Sequence, residues 1–437
     1  LRSGGNRQVG ESAMARIAAL RVRFVWTLAL GALAACSEQS SPTPGPAAAP
    51  PAAAAGVTVF TGSRLLVGDG TVIDNATFTV GPDNRFGLVG ATAAVTVPAG
   101  ARTVDLAGLT VMPAIFDTHT HLSRDRANLT ADLKHRAYFG VAAAMSLGQD
   151  NGDDIYAMRR VPIPGHALYL TAGRGFTAPE PGRSEVPYWI TTADEGRAGV
   201  REQAALGVDI IKVWVDDRMG QYPKLAPDIY GAVIEEAHAN GLRAIAHEYY
   251  LADSKELVRR GIDAFAHTVR EPIDDELVAM LKQRPSFVVV PNLPDRGVAQ
   301  DMSWLSSALP ADQVAQLQAA ATDRPDAQAF FAIQARNIER LAREGVTIAL
   351  GTDGNVPWGP HLEMADMVAT GMTEAEVLVA STKNAAEFLR IPNAGTVASG
   401  NSADFIVLEA NPLDDIANTR RIRDVYIRGE HIDRSAY

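Results

Sequence analysis

Cysteine is all but absent: a single one, Cys36, occurs in 437 residues. An internal disulfide is therefore excluded, and stability has to come from core burial. Basic charge is also short, with 40 Lys and Arg against 51 Asp and Glu and a formal net charge of −11. Such a surface cannot neutralise phosphates, which excludes nucleic acid as a partner. No Gly-rich phosphate turn follows an early strand, so the doubly wound α/β fold is only the runner-up.

The first apolar run, Val25 to Leu33, is too short to span a bilayer. It follows the basic segment Arg16, Arg21 and Arg23 and precedes Leu33-Ala-Ala-Cys36. This order resembles a bacterial lipoprotein signal, cut before a cysteine that is then lipidated. The expectation is an exported outer-membrane lipoprotein of a Gram-negative bacterium, held to the membrane only through a lipid on Cys36. Residues 1–36 read as the leader, and 37–56, almost all Ser, Pro, Ala and Gly, as an extended tether.

From Val57, short strand-like runs alternate with turns, and the same texture returns at Ala403-Asp-Phe-Ile-Val-Leu and Asp424-Val-Tyr-Ile-Arg-Gly. Residues 57–111 and 392–437 are therefore expected to build one small β-sandwich module. Between them, in 112–391, apolar strand runs alternate with helix-period segments such as 194–206, 227–239, 254–260, 274–282 and 326–343. The strands are drawn at 112–116, 141–147, 167–170, 209–215, 243–246, 264–266, 287–290 and 347–350. Eight such repeats predict a (β/α)8 TIM barrel, whose chemistry sits at the C-terminal strand ends. A Pro- and Gly-rich stretch, 174–192, reads as a long loop after the third strand, over the barrel mouth or merely on the surface.

At those strand ends stand His119 and His121, Lys212, His247, His267 and Asp353. Two histidines one residue apart share a strand face, and neutral imidazole is a favoured ligand for zinc-like metals. Each residue taken alone is better read as a hydrogen-bonded core group. Their joint placement on one predicted ring argues for a metal site.

With Gly395-Thr-Val and Gly400-Asn-Ser-Ala-Asp404-Phe-Ile-Val closing the pattern, the chain from Val57 onward resembles the amidohydrolase superfamily, in the branch related to imidazolonepropionase and prolidase-type dipeptidases. The resemblance implies metal ligands at His119, His121, His247, His267 and Asp353, with Asp353 also the catalytic acid–base. Lys212 matches the bridging lysine. An ammonium has no lone pair for a metal, but carboxylation by carbon dioxide turns it into an anionic carbamate. The implied centre holds two divalent ions, one on His119, His121, Asp353 and the Lys212 carbamate, the other on His247, His267 and the same carbamate. Nitrogen and oxygen donors with hydrolytic chemistry favour zinc, while manganese, iron or cobalt would fit similar donors.

Substrate contacts are expected from residues beside these ligands. Arg270 and Tyr249 match positions that hold a substrate carboxylate in the dipeptidases resembled. Arg270 is equally free to pair with Glu271 or Asp216. His361 is a further candidate substrate residue, with a surface helix start as its alternative, and Trp214 and Trp358 are candidate pocket walls or core residues. The reading is a metal-dependent hydrolase of an amide bond in a small carboxylate-bearing molecule. Cyclic amide opening, deamination or lactone hydrolysis are the enzymatic alternatives, and a tethered metal- or ligand-binding lipoprotein the non-enzymatic one. Asp216, Asp217 and Arg218 stand where the dipeptidases are more often rich in glycine and serine, which leaves the substrate open. The sequence also leaves a homo-oligomer open.

Overall fold

Turn residues and alternating apolar positions divide the N-terminal part into strands, as a computed structural model describing residues 56–435 shows. Cys36, the leader and the tether up to residue 55 lie outside the described residues. The first strands are Thr58–Leu66 (β1), Val72–Val80 (β2), Phe86–Ala91 (β3), Arg102–Asp105 (β4) and Thr110–Pro113 (β5). There follow Ile115–Thr120 (β6), Val141–Ser146 (β7), Leu168–Thr171 (β8), Phe176–Thr177 (β9), Tyr188–Trp189 (β10) and Ile211–Val215 (β11). Next come Ala244–Glu248 (β12), Ala264–Ala266 (β13), Val288–Val290 (β14) and Thr347–Ile348 (β15). Phe405–Leu408 (β16), Ile422–Ile427 (β17) and Glu430–His431 (β18) complete the set.

The two terminal segments form one mixed sheet of eight strands in the order β18-β17-β16-β5-β1-β2-β3, with β4 beside the first half of β1. β16 and β2 lie three strands apart, about 14 Å in a flat sheet. Yet the rings of Phe405 and Phe78 are 5.2 Å apart, and Phe405 also stacks on Tyr426 at 4.4 Å. The sheet therefore curls around an aromatic core of Phe60, Phe78, Phe86 and Phe405.

Central strands are buried on both faces and read as continuous Val, Ile and Ala runs, as parallel strands covered by helices should. Three of them pair as β6-β7-β8, and seven as β10-β9-β11-β12-β13-β14-β15, all parallel. Backbone contacts also cross from β6 to the segment after β15: Thr118 N–H donates to the Leu350 carbonyl at 3.0 Å, and Thr120 bridges Gly354. The strand expected at 112–116 is in fact divided. Met112 and Pro113 belong to β5 of the terminal sheet, Ala114 makes the break, and β6 carries the histidines.

Local chemistry explains the helix ends. Thr192 and Glu195 form a capping box ahead of the helix Ala193–Ala205, Asp274 caps Asp275–Lys282, and Pro227 and Pro325 sit in the first turns of Pro227–Ala239 and Pro325–Arg343. Among the described residues no helix is long and apolar enough to cross a membrane.

Candidate active site

Period two governs what each strand aims at the centre. In the register of β11 and β12, Lys212 lies opposite Ile245 and Trp214 opposite His247, so Lys212, Trp214 and His247 share one face. Glycines make the room: a Cβ at Gly148 would come within 2.5 Å of Trp214 and 2.9 Å of Lys212 Cγ, and one at Gly175 within 2.3 Å of Trp214. Trp214 is thus wedged behind the site rather than lining the substrate cavity. Beyond β13 and β15, His267 (φ 120°) and Asp353 (φ 51°) hold positive φ values that non-glycine residues seldom adopt.

The side chains converge. Asp353 Oδ1 lies 3.1 Å from His119 Nε2 and 2.9 Å from His121 Nε2, while Oδ2 is 3.5 Å from His267 Nε2. One potential ligand atom each from His119, His267 and Asp353 falls within 4.8 Å of the others. The His247 ring is 4.5 Å from that of His267, which in turn is 5.6 Å from that of His119. Lys212 is fully buried, and its Nζ has no hydrogen-bond partner among the described residues.

Burial sets the charge states. Desolvation, aided by the Lys212 charge, pushes His119 down to about 3 and His247 well below the ordinary imidazole value. His267 is lowered likewise by burial and by His247. These three rings are neutral at pH 7 and keep a lone pair for a metal. Burial alone would raise Asp353, but its contacts with His119, His121 and His267 outweigh it and hold the carboxyl well below the usual range. Burial also lowers Lys212 to about 7. This donor set fits divalent cations: neutral imidazoles, an ionised carboxylate and an orphaned buried amine that has no reason to be there as an ammonium.

Several supporting residues carry no signal in the sequence. Asp117, fully buried, pairs with Arg136 at 3.0 Å and accepts from Thr352 Oγ1 at 2.8 Å, tying the strand of His119 to the loop of Asp353. Asn292 Nδ2 meets His119 Nδ1 at 2.7 Å, while its Oδ1 has no partner among the described residues. A half-turn of that amide exchanges the two atoms, so Oδ1 can accept from an Nδ1–H and leave Nε2 free. Buried Glu363 accepts from Leu293 N–H at 3.0 Å, holding the loop that bears Asn292. Only the position of Asp117, two residues before His119, hints at any of this.

A cavity of about 610 Å³ opens beside His247, lined by Tyr222, Tyr249, Tyr250, Phe330, Arg218 and Arg270 among others. Gly182 and Arg183 also line it, so the 174–192 loop reaches the mouth. Arg270 stacks on Tyr249, with its guanidinium carbon 3.0 Å from the ring centre. It has no carboxylate partner among the described residues, since Glu271 instead accepts from Leu251 N–H at 2.7 Å. His361 is a correction. Both its ring nitrogens are engaged, by Thr419 at 3.1 Å and by the Phe139 carbonyl at 3.0 Å, and it sits in the core away from this cavity. Trp358 packs near Phe139, 5.9 Å between rings.

A model of the amidohydrolase family matches residues 110–432. The chain belongs to the amidohydrolase family. Its relatives include ochratoxinase of Aspergillus niger, 26% identical over 419 residues covering 82% of each chain. The solved A. niger ochratoxinase superposes with a TM-score of 0.67 at 23% identity over 86% of this chain and 95% of that one. A Xaa-Pro dipeptidase solved with methionine in its active site gives 0.69 at 19% identity, covering 86% and 99%. An imidazolonepropionase of Deinococcus deserti is 32% identical over 120 residues, 26% of this chain and 30% of that protein. Amidohydrolase membership and a TIM-barrel-like α/β fold, shared with a prolidase-type structural neighbour, are thereby established.

Proposed function

We propose that this amidohydrolase is a binuclear metal-dependent enzyme that hydrolyses a peptide or N-acyl amide bond in a small molecule bearing a carboxylate. The observation that carries the reading is the buried, unpartnered amine of Lys212 amid three neutral histidines and an ionised aspartate. With its pKa lowered to about 7, roughly half of the amine is uncharged near neutrality, and that form attacks carbon dioxide to give a carbamate and release a proton. His119, His121, Asp353 and that carbamate would hold one ion, and His247, His267 and the carbamate the other, with zinc as the expected metal. Two such ions supply Lewis acidity, which lowers the pKa of water and polarises an amide carbonyl.

The remaining work falls to the chain itself. Asp353, its side chain 35% exposed, accepts the proton from the attacking water and returns it to the departing amine. Arg270 presents an unpaired fork to a substrate carboxylate, and Tyr249 fixes its plane from beneath. Supporting this, the cavity beside the ligands has the volume of small-molecule sites. We further take the two parallel sheets to close as a (β/α)8 barrel through the β6 contacts with Leu350 and Gly354, and the curled terminal sheet to be a β-sandwich.

The test is release of free amine from a panel of dipeptides and N-acyl amino acids, each paired with its carboxamide. Turnover confined to free carboxylates is expected. Equal turnover of carboxamides would remove Arg270 from the reading, and cleavage of lactones or cyclic amides alone would replace the substrate class. We also propose lipidation at Cys36 and an outer-membrane location; recovery of Cys36→Ala in the membrane fraction at the wild-type level would refute it.

A further inference from the structure

The strand bearing Lys212 runs directly into Asp216, Asp217 and Arg218, a charged turn that the metal-site reading leaves without a task. Asp216 is 3% exposed, and its Oδ2 lies 3.0 Å from His247 Nε2. Arg218 folds back over it through two consecutive residues with positive φ, Arg218 at 52° and Met219 at 59°. In this turn Arg218 N–H donates to Asp216 Oδ1 at 2.9 Å, and its Nη1 donates to Oδ2. Arg218 Nε is held in turn by Glu180 Oε1 at 3.1 Å, from the 174–192 loop.

Arg218 Nη1 is also 3.2 Å from His247 Nε2, so the ring nitrogen faces both a donor and an acceptor. A carboxylate only accepts and a guanidinium only donates. Were Nε2 to carry a lone pair, it would face the Asp216 oxygen lone pairs at 3.0 Å in a buried setting. With a proton on Nε2 that clash becomes a charge-assisted hydrogen bond, while Nη1 already has Asp216 as its acceptor. Nδ1 is then the free lone pair.

We propose that Asp216, clamped by Arg218, is a positioning residue that holds His247 as its Nε2–H tautomer and so directs Nδ1 to the metal. Outer carboxylates of this kind orient metal-bound imidazoles and raise their basicity. The inference rests on the reading of His247 as a ligand, and it gives the charged turn a reason to replace small residues. It also connects the loop at the cavity mouth, through Glu180 and Arg218, to a ligand of the centre.

Two measurements on the full chain test it. In metal-free protein labelled with 15N-histidine, with the His247 signals assigned by their loss in His247→Ala, the Nε2–H form is expected in wild type and a tautomer mixture in Asp216→Ala. An Nδ1–H ring in wild type overturns the proposal whatever metal the protein holds. In competition with a chelator, Asp216→Ala should lower the affinity for the His247-side metal by roughly 10- to 100-fold, with Asp216→Asn intermediate because it keeps an acceptor. Wild-type affinity in Asp216→Ala overturns it as well. If Asp216→Ala fails to fold, Asp216→Asn and the wild-type spectrum still decide. A wild-type protein that binds no second metal would refute the binuclear reading, and the ring spectrum would then decide for or against Asp216 by itself.

Discussion

Replacing Lys212 by methionine should stabilise the metal-free protein while abolishing its activity. Methionine nearly conserves the volume of the lysine stem and removes an amine that has no hydrogen-bond partner in a fully buried position. Burial takes the lysine from an ordinary 10.5 down to about 7. At ~1.4 kcal/mol for each tenfold change in proton affinity, keeping the ammonium charged in that site costs roughly 5 kcal/mol, an upper bound once local relaxation is allowed.

The sign follows from proton binding. Between about pH 7 and 10.5 the unfolded chain holds the Lys212 proton and the folded chain does not, so wild-type stability rises with pH across that window. The penalty is complete below pH 7 and gone above 10.5. Urea titrations of chelator-treated wild type and Lys212→Met at pH 6 and pH 10 measure it. The variant should be more stable by about 2 to 5 kcal/mol at pH 6, the gap should shrink toward pH 10, and metal-loaded activity should fall by at least roughly a thousandfold. A variant that is less stable at pH 6, or a gap that ignores pH, would refute the argument that this amine is tolerated only for what is built upon it.

Three further outcomes follow from the geometry. Arg270→Ala should lower kcat/KM for carboxylate substrates by about 10- to 100-fold, the worth of one charge-assisted contact, with Arg270→Lys recovering part of it; unchanged steady-state kinetics would count against Arg270. Asn292→Ala should weaken metal retention by roughly tenfold or more in a chelator competition, by freeing the His119 ring. Gly148→Val should cost at least about 2 kcal/mol in a thermal or urea unfolding assay, because its Cβ would meet Trp214 at 2.5 Å at a φ of +94°.

How much of this is legible in the sequence depends on how local each signal is. Parallel strands such as 264–266 and helices such as Pro227–Ala239 can be read to their bounds, because apolar runs, a first-turn proline and terminal glycines are local marks. The clustering of His119, His121, His267 and Asp353 is legible for a related reason, since these residues stand at or beyond the C-terminal ends of parallel strands. By contrast, the helix Arg126–Tyr138 is polar enough to look like loop, although it carries Arg136 to Asp117. Asn292 finds His119 across 173 residues, a partnership no spacing reveals. His361 is misplaced by the sequence because a Pro-His helix start does not say which way the ring turns, and here it turns into the core toward Phe139 and Thr419. Asp216 stands out only as a departure from the dipeptidases resembled, and its bond to His247 depends on a backward turn at Arg218.

The central claim is a two-metal centre bridged through Lys212. Metal content per chain, measured on active protein prepared with zinc and bicarbonate and compared with Lys212→Ala, tests it most directly. The account predicts two ions in the wild type, with loss of at least one ion and of amide hydrolysis in the variant. One ion in fully active wild type, or a variant that keeps both ions and its turnover, would contradict it.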